Sequence, residues 1–104
     1  MRKYFLTLLT VLIATAYTSA QFGGGSGTAT DPYIISTAAH LAGITGNYIT
    51  EGYHFKQTAD INLTSYNNWT PIGTTSSPFN GIYDGNNKEI SNLKITGTNA
   101  NRGL

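Results

Sequence analysis

The polar and apolar residues of this chain are patterned for a mainly β, repetitive fold with a short capping helix near its start. From Tyr53 onward apolar and polar residues alternate with the period of strands: Tyr53, Phe55 and Gln57 against His54 and Lys56, then Ile61 and Leu63 against Asn62. Glycine and asparagine clusters break these runs into short pieces, as in Asn67-Asn68 and Asp84-Gly85-Asn86-Asn87. The triplets Ile61-Asn62-Leu63 and Leu93-Lys94-Ile95 lie about thirty residues apart, a spacing in the range of solenoid repeats.

Residues 1–20 are expected to stand outside the fold. Arg2 and Lys3 precede an apolar run containing Phe5, Leu6, Leu8, Leu9, Val11, Leu12 and Ile13, and Thr18-Ser19-Ala20 supplies small residues. That is the pattern of a secretory signal peptide cut after Ala20, with an apolar core shorter than the ~20 residues of a membrane span. Its removal takes the formal charge from +1 to −1, because Lys56, Lys88, Lys94 and Arg102 then face Asp31, Glu51, Asp60, Asp84 and Glu89. A basic face for nucleic acid is therefore not expected. The chain has no cysteine, which excludes disulfides, thiolate metal sites and a cysteine nucleophile.

Residues 21–30, with Gly23-Gly24-Gly25-Ser26-Gly27, read as a flexible linker. They lack the Lys-Ser/Thr that a phosphate-cradling loop requires. Order is expected over residues 31–104, as a cap followed by the first coils of a repetitive stack. Pro32 suits an exposed first strand over Tyr33-Ile34-Ile35. Ser36 or Thr37 then caps a helix over residues 38–44, with Leu41 and Ile44 on one face and Gly46-Asn47 ending it. This helix is expected to cover the end of the sheet stack, where a bare edge would template pairing. Gly81-Ile82-Tyr83 reads as a short strand before the Asp84–Asn87 turn. Ile90, Leu93 and Ile95 are the last apolar set, and the slip between Ile90 and Leu93 predicts a bend at Ser91-Asn92. A chain reaching Gly103-Leu104 in mid-pattern reads as the N-terminal piece of a longer repetitive protein.

The blocks Asp31-Pro32-Tyr33-Ile34-Ile35, Phe55-Lys56-Gln57-Thr58-Ala59-Asp60-Ile61-Asn62-Leu63, Trp69-Thr70-Pro71-Ile72-Gly73, Phe79-Asn80-Gly81 and Ile90-Ser91-Asn92-Leu93 occur in an order that resembles the opening of bacterial surface proteins with GLUG-type repeats, adhesin-like proteins of Bacteroidetes among them. Gly103-Leu104 would begin the first such repeat, and no complete Gly-Leu-x-Gly unit follows. The resemblance implies a secreted or surface-attached protein built as a right-handed parallel β-helix or similar β-solenoid. Similar segments form non-catalytic N-terminal regions of IgA-specific metallopeptidases. No catalytic residue is carried over.

The residues themselves hold few candidates for chemistry. His40 and His54 lack the further ligands that zinc needs. Asp60 and Asp84 are far better explained as turn residues bonding backbone amides than as a glycosidase pair. Asp84–Glu89 does not follow the helix-loop-helix calcium pattern, although a weak site between turns has oxygen ligands available. Asn62-Leu63-Thr64 and Asn68-Trp69-Thr70 match the glycosylation acceptor pattern, which matters only in a host that glycosylates secreted chains. Tyr66, Trp69 and Tyr83 are the candidates for glycan contact, by ring stacking, although Trp69 is also expected to pack inward beside Pro71 and Ile72. The expected function is non-catalytic: a secreted or cell-surface module presenting a repetitive surface to host or matrix glycan or protein, without cofactor or metal. The alternative is a non-catalytic N-terminal region of a larger secreted enzyme, a metallopeptidase or a polysaccharide-active protein.

Overall fold

The computed structural model describes residues 21–96 and 103–104; the expected signal peptide lies outside them. Strands β1 (Tyr33–Ile35), β2 (His54–Gln57) and β4 (Ile82–Asp84) form one parallel sheet in the order β1-β2-β4. Strands β3 (Ile61–Asn62) and β5 (Ile90–Ser91) form a second parallel pair. Phe55 stands opposite Tyr33 on one side and Tyr83 on the other, and Ile61 stands opposite Ile90. Beyond β3 the chain bonds to its later course without regular strand. Trp69 N–H donates to the Lys94 carbonyl at 2.8 Å, and Ile72 N–H to that of Leu104 at 2.7 Å. The architecture is thus small sheets of short parallel strands, with two short helices.

The period-2 reading decides which residues enter the core. Phe55 and Gln57 of β2 are buried, as are Ile61 and Leu63, and with Ile35, Leu41, Ile44, Trp69 and Phe22 the apolar ones make one contiguous core. Trp69 packs inward as expected. Leu93 does not join the core; it is 42% exposed, while Ile90 and Ile95 are partly buried. Asn92, at φ 61°, accommodates the slip in alternation at that point.

Helix α1 (Ala38–Ala42) begins at Thr37, whose Oγ1 accepts the His40 N–H at 3.0 Å. It packs against β1 with Leu41 wholly buried. It stops at Gly43, earlier than the expected residue 44, and a second one-turn helix, α2 (Asn47–Thr50), follows. Gly46, expected to end α1, instead precedes α2 at φ 55°. The turn after β4 forms where expected: Lys88 N–H bonds the Gly85 carbonyl at 2.9 Å, and Asn86 and Asn87 both hold positive φ, as a type I′ turn demands.

The glycine-rich stretch 21–30 differs from the linker expectation. Phe22 is 5% exposed, with its ring centroid 4.9 Å from Tyr33, 5.0 Å from Tyr48 and 5.6 Å from Phe55. Gly23 N–H donates to the Ile34 carbonyl at 2.9 Å, Ile34 N–H returns a bond to Gly24, and His54 N–H bonds the Gly27 carbonyl at 2.8 Å. One buried phenylalanine ties the segment to the core, and its glycines let the backbone lie close to β1. A Cβ on Gly25, at φ 89°, would collide with the Pro32 carbonyl oxygen. Gly25→Ala is expected to cost about 1–3 kcal/mol in denaturant unfolding. Gly46→Ala, where nothing lies within 4 Å, should lose only the smaller positive-φ penalty. Equal losses would show that the 21–30 segment is not held against β1.

Candidate functional site

Two stretches of the chain, residues 50–68 and 80–96, run parallel and are tied by side chains at a nearly constant spacing. Asp60 Oδ1 accepts the Glu89 N–H at 2.8 Å, 29 residues on. Asn62 Oδ1 accepts from Asn92 Nδ2 at 2.9 Å, 30 residues on. Asn68 Oδ1 accepts the Thr96 N–H at 3.1 Å, 28 residues on, and Asn80 Nδ2 reaches back 30 residues to the Thr50 carbonyl at 3.4 Å. Asn62, Asn68, Asn80 and Asn92 are spent on these exposed links. Asp84 Oδ1 accepts the Asn86 N–H at 2.9 Å. Both candidate carboxylates therefore hold backbone amides. Asn62 and Asn68, the two acceptor-pattern asparagines, both use their carbonyl oxygens in the ladders.

At the corner between the two sheets sits Gln57, buried at 1% exposure. Its Nε2 donates to the Ala59 carbonyl at 2.9 Å and to that of Glu89 at 3.0 Å. Its Oε1 accepts the Tyr83 hydroxyl at 2.9 Å, and its backbone carbonyl accepts Asn86 Nδ2 at 3.1 Å. Burial pushes the Tyr83 phenol from its ordinary value near 10 up to about 12. Tyr33 is likewise raised, by burial first and then by Tyr48 and Tyr53 beside it.

This separates the three aromatic candidates. Tyr66 and Trp69 meet edge to face, centroids 5.2 Å apart. Tyr83 belongs to the Gln57 corner and shares no ring contact with them. Trp69 is 2% exposed and its Nε1 donates to the Leu104 carbonyl at 3.1 Å. Tyr66, half-buried, is the ring of the pair open to solvent. Both line a cleft of about 460 Å³ between the α1–α2 region and the Tyr66–Ser77 segment. Ala42, Ile44, Ile49 and Ile72 contribute apolar wall, and Thr45, Asn68 and Thr70 contribute polar groups.

His40 accepts the Ser36 N–H on Nδ1 at 3.1 Å and completes the α1 cap, while His54 is half-buried within β2. Among the described residues no group of three or more His, Cys, Asp or Glu is placed to hold a metal ion. Among the same residues no helix is long and apolar enough to cross a membrane.

No protein-family model matches the chain. Over 107 residues it is 38% identical to a candidate Gly-rich membrane protein of Evansella cellulosilytica, across 93% of this chain and 12% of that protein. It is 34% identical over 91 residues to halomucin of Haloquadratum walsbyi, across 73% of this chain and 1% of that protein. Among solved structures, a candidate immunoglobulin A1 protease of Bacteroides ovatus superimposes with a TM-score of 0.57 at 26% identity, across 68% of this chain and 22% of that one. The chain thus spans a small part of each protein it resembles. The relatives are named for membrane, mucin and protease roles, and share this segment as one portion of much larger chains.

The alternation of β2 puts Gln57 on the inward face of its strand without indicating a role. A long amide at an inward position between Phe55 and Ile61 was the available signal. Thr45, in the cleft, carried no signal, because it comes from the loop between two helices of which only one was expected.

Proposed function

We propose that this chain is a non-catalytic, secreted module of a large surface protein, folded as the opening turns of a right-handed parallel β-solenoid, which presents a repetitive polar surface for adhesion or matrix contact. The observation that carries this reading is the side-chain ladder spaced by 28 to 30 residues, from Asp60–Glu89 to Asn62–Asn92 and Asn68–Thr96. Parallel segments held in register by side-chain ladders are the unit from which solenoids are stacked. Ile82 at 56% exposure and Leu93 at 42% offer apolar surface on which a further turn, of GLUG type, would pack. The names of the two relatives, a Gly-rich membrane protein and a halomucin, agree with a surface location.

The test is protease shaving and surface labelling of intact producing cells. The module is expected in the accessible fraction; confinement to the cell interior would overturn the proposal. The likeness to the candidate immunoglobulin A1 protease favours one second reading, a non-catalytic region within a larger secreted enzyme. Under that reading a peptidase assay on the full-length protein would show activity that survives deletion of residues 31–104.

A further inference from the structure

We propose that the cleft beside Tyr66 is a binding site for a neutral saccharide, with one sugar ring laid against the tyrosine. This deepens the surface-module reading and rests on it for its biological sense. The cleft's volume of about 460 Å³ lies within the range of small-molecule sites. Its position follows from the fold. The first turn of the chain carries helices where later turns carry extended segments, and the α1–α2 region leaves a gap against residues 66–77.

The chemistry of the wall selects the ligand. Tyr66 offers a half-buried ring braced edge to face by Trp69, so its orientation is fixed before anything binds. Ile44, Ile49 and Ile72 continue the apolar surface. The Thr45 and Thr70 hydroxyls make no hydrogen bond among the described residues. Asn68 spends its Oδ1 on Thr96, which holds the amide in place, and its Nδ2 has no partner among the described residues. Among the described residues no acidic or basic side chain lines the cleft. Fixed ring, apolar wall, free hydroxyls and absent charge suit a pyranose, which has an apolar face and a hydroxyl edge. A charged ligand would lose its hydration there without a counter-charge, and a purely aliphatic one would bury the two threonines and Asn68 unpaired.

Trp69 is the single tryptophan of the chain and lines the cleft, so its fluorescence is a probe at this site. The experiment titrates the protein with methyl glucoside, galactoside, mannoside and N-acetylglucosaminide and with short neutral oligosaccharides, with glucuronate and decanoate as comparators. A saturable change with at least one neutral sugar is expected, weakened about tenfold by Tyr66→Ala. Tyr66→Phe should keep binding, and Thr70→Val should weaken it with far-UV circular dichroism unchanged. No response to any neutral sugar, a stronger response to glucuronate or decanoate, or sugar binding undiminished in folded Tyr66→Ala would each overturn the site. Surface labelling of cells is read separately, so failure of sugar binding leaves the module's location standing.

Discussion

Phe55→Ala is expected to remove about 3–5 kcal/mol of stability, most of what a domain of this size has to lose. The ring is 1% exposed and lies 5.6 Å from Phe22, 5.6 Å from Tyr33 and 6.0 Å from Phe79, centroid to centroid. Those three partners come from the glycine-rich segment, from β1 and from the loop before β4. One side chain therefore joins three parts of the chain, two of which also meet directly through Phe22 and Tyr33. Truncation forfeits the burial of the ring and leaves a cavity among Phe22, Tyr33 and Phe79. The chain has no disulfide to offset the loss. Urea unfolding measures it. Phe55→Leu, which keeps most of the volume, should lose about 1.5 kcal/mol or less. A loss below about 1 kcal/mol for the alanine variant would mean that the aromatic cluster does not hold these segments together.

Much of this core was legible because strand alternation is a local property. The run from Tyr53 to Gln57 and the triplet at Ile61 specify their faces without help from the rest of the chain, and both are buried as patterned. The Asp84–Asn87 turn was legible for the same reason, since only glycine and asparagine enter the left-handed region cheaply. Leu93 falls outside the core because the alternation there depends on one backbone angle, at Asn92, that the sequence permits without dictating. The helix α2 lacks an apolar stripe of its own and follows a glycine, so nothing local announces it.

The glycine-rich stretch shows where composition misleads. Five small residues between Gly23 and Gly27 look like chain with nothing to bury, yet Phe22 beside them enters the core and glycines permit the close run along β1. The candidate site was half legible for a related reason. Tyr66 and Trp69 are three residues apart and meet, whereas Tyr83 was grouped with them by residue type and is instead taken up by a buried amide. Which aromatic faces the cleft depends on how α1 and α2 sit over the later turns, a tertiary fact with no sequence signature.

That buried amide gives the second large effect. Gln57→Leu keeps the volume and removes every polar contact of the side chain, so the Tyr83 hydroxyl and the Ala59 and Glu89 carbonyls each lose a partner. The expected loss is about 2–4 kcal/mol, since each buried polar group left unpaired costs about 1–3 kcal/mol and some of these will reach water. Adding Tyr83→Phe to Gln57→Leu should cost less than the two changes separately, because the second removes the hydroxyl the first orphaned. Strict additivity would mean that the two side chains do not act as a pair. The same tyrosine sets a limit at alkaline pH. Its phenol titrates at about 12 in the folded protein against about 10 unfolded, so the folded state holds the proton more tightly. Its contribution is complete below about pH 10 and is lost as pH rises from there through about 12. Unfolding followed across that window should show stability falling with pH, less steeply in Tyr83→Phe, with Tyr33 supplying part of the remaining slope. An unchanged slope in Tyr83→Phe would show that burial at this corner does not hold the Tyr83 proton.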